Sequence, residues 1–451
     1  MTTVAESPRR DRIWRIAFVI VFGAFASGLD ASLTNIGLAT IGADLHAGLA
    51  AVQWVATGYL VAMAVSLPLC GWLTRWIGAG RLWLWALAAF TVASGLCTTA
   101  ADLGWLVALR VVQGLAAGLL IPAGQTVLGQ AVGKDRLGRM MSSLGIVVAL
   151  APALGPVAGG VLLHSLRWPW LFLINVPIGA IGLGLGLRIL PRGSRTATGR
   201  LDWLGFAWIG IGLPLVLYGL TAPAVLPLAF GAAALLIFGV RTARRPNPLL
   251  DLSVYRDRRY LFATAAAGCS GALMFGSALL FPLYLENLHH DPALTAGIRL
   301  LALGLGTSAT VPVAGRLTDR YGGGRIASIG ALGALGATIP FAFLGADPAP
   351  LALEFLLALF GIAIGLTVVP PGVAAFKAVR ADQLPDATTQ ISIVQRVGGA
   401  IGAALFAVVL AHNQAAGALP AFQLTFGWLI GTAALTVFCA ALLHLASRVS
   451  G

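Results

Sequence analysis

Of the 16 acidic residues, Asp30 is the one that falls deep inside an apolar run; the others lie near the ends of such runs. A carboxylate in apolar surroundings is costly, so it is a functional candidate from the start. Its chemistry would be reversible protonation. Burial favours the neutral acid and a nearby arginine favours the carboxylate, so a modest change of surroundings can move the proton. The candidate arginine is Arg110. Asp30 lies fifteen residues past Arg15, roughly 22 Å along a helix that rises 1.5 Å per residue. Arg110 lies eight residues past Asp102, about 12 Å in from the opposite face, and so roughly 18 Å from the first in an apolar layer of about 30 Å. The two are at similar depth. Two readings stand: Asp30 carries a proton under the influence of Arg110, or the two form a permanent ion pair joining two helices.

Other polar residues punctuate the apolar runs: Asn35, Tyr59, Gln113, Gln125, Asn175, Tyr284, Gln395 and Arg396. Each is either a ligand contact or a hydrogen bond between helices. Arg396 either lines a cavity or snorkels to the nearer surface. The small-residue pairs Gly114/Gly118, Gly155/Gly159 and Gly361/Gly365 permit close helix packing, and Gly155-Pro156 is a possible bend. The four cysteines and six histidines show no metal-ligand spacing. The cysteines read as small core residues without pairing. Neither H-E-x-x-H nor G-x-S-x-G occurs, so an enzyme is not expected.

The elements that position these residues follow from composition. The chain has 451 residues, 58% hydrophobic and 10% charged, with 57 glycines. That excludes a soluble domain, a disordered tail and, despite the net charge of +13, a nucleic-acid-binding domain. It indicates an all-α integral membrane protein. Apolar runs of spanning length lie at 14–41, 50–70, 82–101, 104–128, 140–163, 169–190, 203–220, 224–240, 260–284, 295–316, 325–345, 350–374, 388–411 and 421–446, predicting fourteen transmembrane helices. All 29 lysines and arginines except Arg110, Arg167, Arg299 and Arg396 then fall on one side. The positive-inside rule makes that side cytoplasmic, with both termini inside and the chain in the cell membrane. The basic start runs into an apolar stretch too long for a signal peptide, so no cleaved leader is expected.

One segment recurs. Gly71-Trp72-Leu73-Thr74-Arg75-Trp76-Ile77-Gly78-Ala79-Gly80-Arg81 follows the second span. Gly315-Arg316-Leu317-Thr318-Asp319-Arg320-Tyr321-Gly322-Gly323-Gly324-Arg325 follows the tenth. Equivalent loops after the second helix of two six-helix units predict a duplicated half with parallel topology. The expected division is an N-terminal bundle at 1–200, two inserted linking helices at 201–245 and a C-terminal bundle at 246–451.

With these features on the page, the sequence resembles the major facilitator superfamily, in its fourteen-span drug:proton antiporter branch. The repeated loop is similar to the G-x-L-x-D-R-x-G-R signature. Arg110-Val111-Val112-Gln113-Gly114 is similar to R-x-x-Q-G, and Gly155-Pro156-Val157-Ala158-Gly159-Gly160 to the G-P-x-x-G-G element of antiporters. Leu29-Asp30 with Asn35-Ile36, Trp54 to Tyr59, and Phe172 to Pro177 also match family runs. The resemblance implies two six-helix bundles plus two inserted helices, and proton-driven export of hydrophobic, neutral or monocationic drugs. A dedicated exporter of one metabolite or self-made antibiotic is the alternative. It implies proton coupling by Asp30 and Arg110. Substrate contacts are expected from Asn35, Tyr59, Gln113, Gln125, Asn175, Tyr284, Gln395 and Arg396. Gating is expected from Gly71, Gly78, Arg81, Gly155, Pro156, Gly159, Gly315, Asp319, Arg320 and Gly322. The expected partners are small molecules, protons and the lipid bilayer; no cofactor, metal or nucleic acid is expected, and an accessory subunit leaves no mark in the sequence. The chain departs from the pattern at Arg75, where relatives carry an acid that latches the inner gate, and at Ala39, where a proline is common in the first helix.

Overall fold

The computed structural model describes residues 7–132, 136–193, 201–221, 224–245, 248–289, 291–345 and 349–449. Among them it is helical throughout. The first half comprises α1 (Ser7–Asp44), α2 (Leu49–Val52), α3 (Trp54–Ser66), α4 (Leu69–Ile77), α5 (Ala79–Cys97), α6 (Leu103–Val132), α7 (Leu137–Ser165), α8 (Trp170–Leu173) and α9 (Asn175–Ile189). Two helices follow, α10 (Trp203–Thr221) and α11 (Val225–Ala243). The second half comprises α12 (Arg258–Asn287), α13 (Ala293–Tyr321), α14 (Gly323–Thr338), α15 (Pro350–Ala378), α16 (Leu384–Asn413) and α17 (Ala418–Val449).

Twelve helical stretches among the described residues are long and apolar enough to cross a membrane. The second expected span is a further candidate, but it is not the single run expected at 50–70. It breaks into α3 and α4, bent by 59°. The break falls at Leu67-Pro68, where the proline ring displaces a helical carbonyl and removes an amide donor. At the fifth expected place stands α7, a helix of 29 residues.

The repeated segments are also more ordered than loops. Gly71–Ile77 belongs to α4 and Gly315–Tyr321 ends α13; the next helix starts directly after Gly78 and Gly322. These two glycines sit at φ +94° and +87°, conformations that a side chain would strain, and so turn the chain without a linker.

Packing divides the molecule by height. At the end that carries both termini, here called the inner end, the halves share one apolar core; Leu82 and Leu137 of the first half join Tyr260, Phe376 and Leu384 of the second. At the outer end they have separate cores, one around Leu33, Leu106 and Phe172, the other around Phe281, Phe341 and Phe426. In this state the halves are closed together at the inner end. Outside the bundles, α10 and α11 pack on each other. Ile209 and Phe238 reach Leu69 and Trp72 of the first half and Ile393 of the second, so the pair touches both.

The small-residue pairs hold the same relation in each half. Gly114 and Gly118 of α6 lie against the backbone of Tyr59 and Met63 in α3; Gly361 and Gly365 of α15 lie against Leu303 and Thr307 in α13. All four cysteines are free, and Cys269 and Cys439 bring their sulfurs to 3.9 Å across α12 and α17.

A Cβ at Gly114 would stand 3.0 Å from the Ala62 Cβ. Gly114→Leu is therefore expected to cost about 1–3 kcal/mol through overpacking. It should lower the midpoint of thermal unfolding in detergent, and an unchanged midpoint would contradict the close approach of α3 and α6.

Candidate functional site

Asp30 is fully buried, and each of its hydrogen-bonding neighbours is a donor. Arg110 Nη1 donates to Oδ2 at 2.5 Å. Oδ1 accepts from Gln113 Nε2 at 2.9 Å and from Asn175 Nδ2 at 2.7 Å. Ser94 Oγ accepts from the same two amides. Arg110 also donates through Nε to the Val55 carbonyl at 3.0 Å and through Nη1 to Gln113 Oε1 at 2.6 Å. Its guanidinium lies 4.1 Å above the Tyr59 ring, whose hydroxyl donates to the Ser27 carbonyl at 3.3 Å. Asp30, Ser94, Arg110, Gln113 and Asn175 are each 0% exposed. The network thus ties α1, α3, α5, α6 and α9 around one carboxylate.

Helix geometry explains the assembly. Arg110 and Gln113 are three residues apart on α6 and share a face. Asn175 opens α9 after the short turn of α8, which sets it opposite α5. The arrangement suits the ionised acid. A proton on Asp30 needs an acceptor where donors now stand, so its uptake must open at least one of these bonds. Arg110 Nη2 and Asn175 Oδ1 make no hydrogen bond among the described residues, leaving one spare donor and one spare acceptor beside the carboxylate.

A second site lies between the halves. A cavity of about 170 Å³ is walled by α6 and α7 from the first half and by α12, α13, α15 and α16 from the second. Its lining is mostly apolar, with Gln125, Thr307, Ser392, Gln395 and Arg396 as the polar side chains. Arg396 is therefore at the cavity, the first of its two sequence readings.

The expected site residues thus part into groups. Tyr59, Gln113 and Asn175, expected at the substrate, belong to the network around Asp30. Gln125, Gln395 and Arg396 line the cavity. Asn35 is exposed on α1. Tyr284 sits in an aromatic cluster with Phe341, Phe422 and Phe426 in the outer core of the second half, away from the cavity.

The expected gating residues gather at the inner end and along α1. Asp319 accepts from the backbone amides of Gly138 and Arg139 at 2.8 and 2.9 Å, and from Lys377 at 3.1 Å. It thereby caps the start of α7, where the helix dipole favours an anion. Arg75, in the place of the family acid, pairs with Asp386 in the first turn of α16, Nη1 lying 2.7 Å from both carboxylate oxygens. The two contacts are equivalent in the duplicated fold and opposite in polarity. Gly71 faces Asp386, and Gly315 faces Gly138 and Ser142, so each repeat begins against the partner helix of the other half. Thr126 and Thr388 add a 2.9 Å hydrogen bond across the halves. Burial pushes the neighbouring Asp251 carboxyl up, but hydrogen bonds from Ser253 and Gln383 and the charge of Arg75 outweigh it and hold the acid below its usual range. Arg81 reaches the Ile77 carbonyl at 3.4 Å, and Arg320 lies 5.1 Å from the Tyr321 ring. Gly155 and Gly159 face Ser32, Leu33 and Ile36 of α1. The helix α7 runs on through Pro156, whose side chain lies outside the described residues.

Ser94 and Asp386 were not expected. A lone serine in an apolar run carries no signal. Asp386 did leave one: an arginine replacing an acid at a contact implies a carboxylate opposite. Among the described residues no three histidines, cysteines or acids come together as a metal site.

Comparison with known proteins gives concordant results. The sequence profile of the Major Facilitator Superfamily matches residues 20–403. The chain is 32% identical over 413 residues, 88% of its length and 76% of the relative's, to a Multidrug resistance protein B homolog of Mycobacterium tuberculosis. It is 26% identical over 404 residues, 89% of each protein, to the riboflavin transporter RibZ of Clostridioides difficile. In fold it is similar to the human organic anion transporter MFSD10, with a TM-score of 0.65 over 95% of this chain and 99% of the other, at 17% identity.

Removing one partner of a buried ion pair typically costs about 3–5 kcal/mol, because the other charge is left uncompensated. Asp30→Leu and Arg110→Leu should each lower the unfolding midpoint in detergent sharply. The double variant should recover much of the loss. Independent, additive losses would contradict a coupled pair.

Proposed function

The chain belongs to the Major Facilitator Superfamily, and on that premise we propose that it exports small apolar molecules across the cytoplasmic membrane in exchange for protons, by alternating access. The observation that carries the reading is the set of three donor bonds that holds the buried Asp30 carboxylate. Protonation opens at least one of the bonds to α6 or α9, which couples proton uptake to helix movement. When the network re-forms, Arg110, Gln113 and Asn175 expel the proton and grip the carboxylate. Arg110 is the positioning charge, and Tyr59 supports it from below.

The two contacts at the inner end are the latch in this reading. Asp319 on the start of α7 and Arg75 on Asp386 hold the halves together there, while their outer cores stay separate. Opening to the inside requires both to break. The termini are placed in the cytoplasm by the distribution of arginine and lysine.

The cavity refines the expected substrates. Its wall carries one cation, Arg396, and no acid among the lining residues. That fits neutral molecules and weighs against the monocationic ones also expected from the sequence. The similarity to a protein named as a riboflavin transporter keeps open a dedicated exporter of one metabolite, which competition between unrelated substrates would separate.

The test uses proteoliposomes with an imposed pH gradient and a radiolabelled neutral aromatic amide. Wild type should concentrate the amide against its gradient; Asp30→Asn should lose at least about tenfold of this uphill transport while keeping downhill exchange. A variant with undiminished, pH-driven transport would remove Asp30 from the mechanism. For the latch, Arg75→Asp and Asp386→Arg should each slow transport, and the two together should restore it. A double variant no better than either single one would leave the pair without a gating role.

A further inference from the structure

Arg396, on α16, is partly buried. It is among the lining residues of the central cavity. It makes no hydrogen bond or ion pair among the described residues. Nor is an acid free to serve it. Asp30 is committed to Arg110, Asp386 to Arg75, and Asp319 to Lys377 and the start of α7. A guanidinium partly withdrawn from water without a counter-charge is costly, and such a site gains most from an arriving anion.

We propose, building on the transport reading above, that this cavity binds an amphipathic organic acid, its carboxylate or similar anionic group paired with Arg396 and its apolar body against Met274, Phe275, Val311 and Ile364. The planar fork of the guanidinium matches a carboxylate through two parallel hydrogen bonds. Gln125 and Gln395, also on the wall, supply amide groups beside it. The volume of about 170 Å³ is near that of an engineered cavity of about 150 Å³ that takes benzene. One or two aromatic rings therefore suit it. The chemistry selects by charge at one point and by shape elsewhere, which gives broad acceptance of apolar bodies with a preference for acids over amides and amines.

The experiment is a binding measurement on the purified full chain in neutral detergent at neutral pH. Three matched probes are titrated: 2-naphthylacetate, 2-naphthylacetamide and 2-(2-naphthyl)ethylammonium. Wild type should bind the acetate at least about tenfold tighter than the amide, a difference expected of a charge-assisted pair, and the ammonium should be weakest. Added salt should weaken the acetate alone. Arg396→Gln should bring acetate and amide within about twofold of each other, and Arg396→Lys, which keeps the charge but loses the fork, should fall between. Arg380→Gln, which removes an exposed arginine paired with Asp382 at the inner surface, should keep the full preference. Equal binding of acetate and amide by wild type, a preference for the ammonium, or a preference that survives Arg396→Gln overturns the proposal. Should Arg396→Gln fail to fold, an undiminished preference in Arg396→Lys with no salt dependence overturns it instead. Failure of the transport reading looks different: proteoliposomes would move none of the three probes while the binding preference for the acetate persisted.

Discussion

A carboxylate without water must be surrounded by donors, and Asp30 is. Three side chains from two other helices supply hydrogen bonds to its two oxygens, and in this arrangement each of them points a donor at the carboxylate. This constraint orders the first half. The broken second span brings the Val55 carbonyl and the Tyr59 ring to Arg110, α5 contributes Ser94, and the short turn before α9 delivers Asn175. Such a cluster is held together by its charge state. Five helices that pack by shape alone would have no reason to respond to pH; five helices joined through one ionised acid do.

Duplication supplies the rest of the machine, and divergence has altered it. In both halves a glycine pair in the fourth helix lies against the second, and the end of the second helix reaches the start of the fifth helix of the other half. In one copy an acid caps a helix start; in the other an arginine meets an acid in the first turn. Either polarity gives an attractive contact that closes the inner end. The Asp319 contact also uses the helix dipole, whereas the Arg75 contact depends on one ion pair with a half-buried arginine. The first would persist in salt better than the second.

Much of this was legible in the sequence, for physical reasons. Apolar runs of spanning length set the helices. Helix rise alone placed Asp30 and Arg110 at one depth, where the structure pairs them. Less legible were properties that depend on what faces what. Gln113 and Asn175 were visible as polar residues, but only the packing of α6 and α9 shows that both turn to Asp30. Tyr284 had the same appearance in the sequence and packs among phenylalanines instead. The bend at Pro68 and the helical character of the repeated segments were hidden because an apolar run ends where lipid ends, while a helix continues. Asp386 was visible as a charge at the inner face, yet its role appears only beside Arg75.

The central claim is that Asp30 exchanges its proton as the network opens and closes. The direct measurement is the number of protons released when a transported neutral compound binds to the purified protein in weakly buffered detergent solution. The account predicts a net release from wild type, at most about one proton per chain, and none from Asp30→Asn. Equal release from both proteins would contradict it, and would place the exchanging proton on another group.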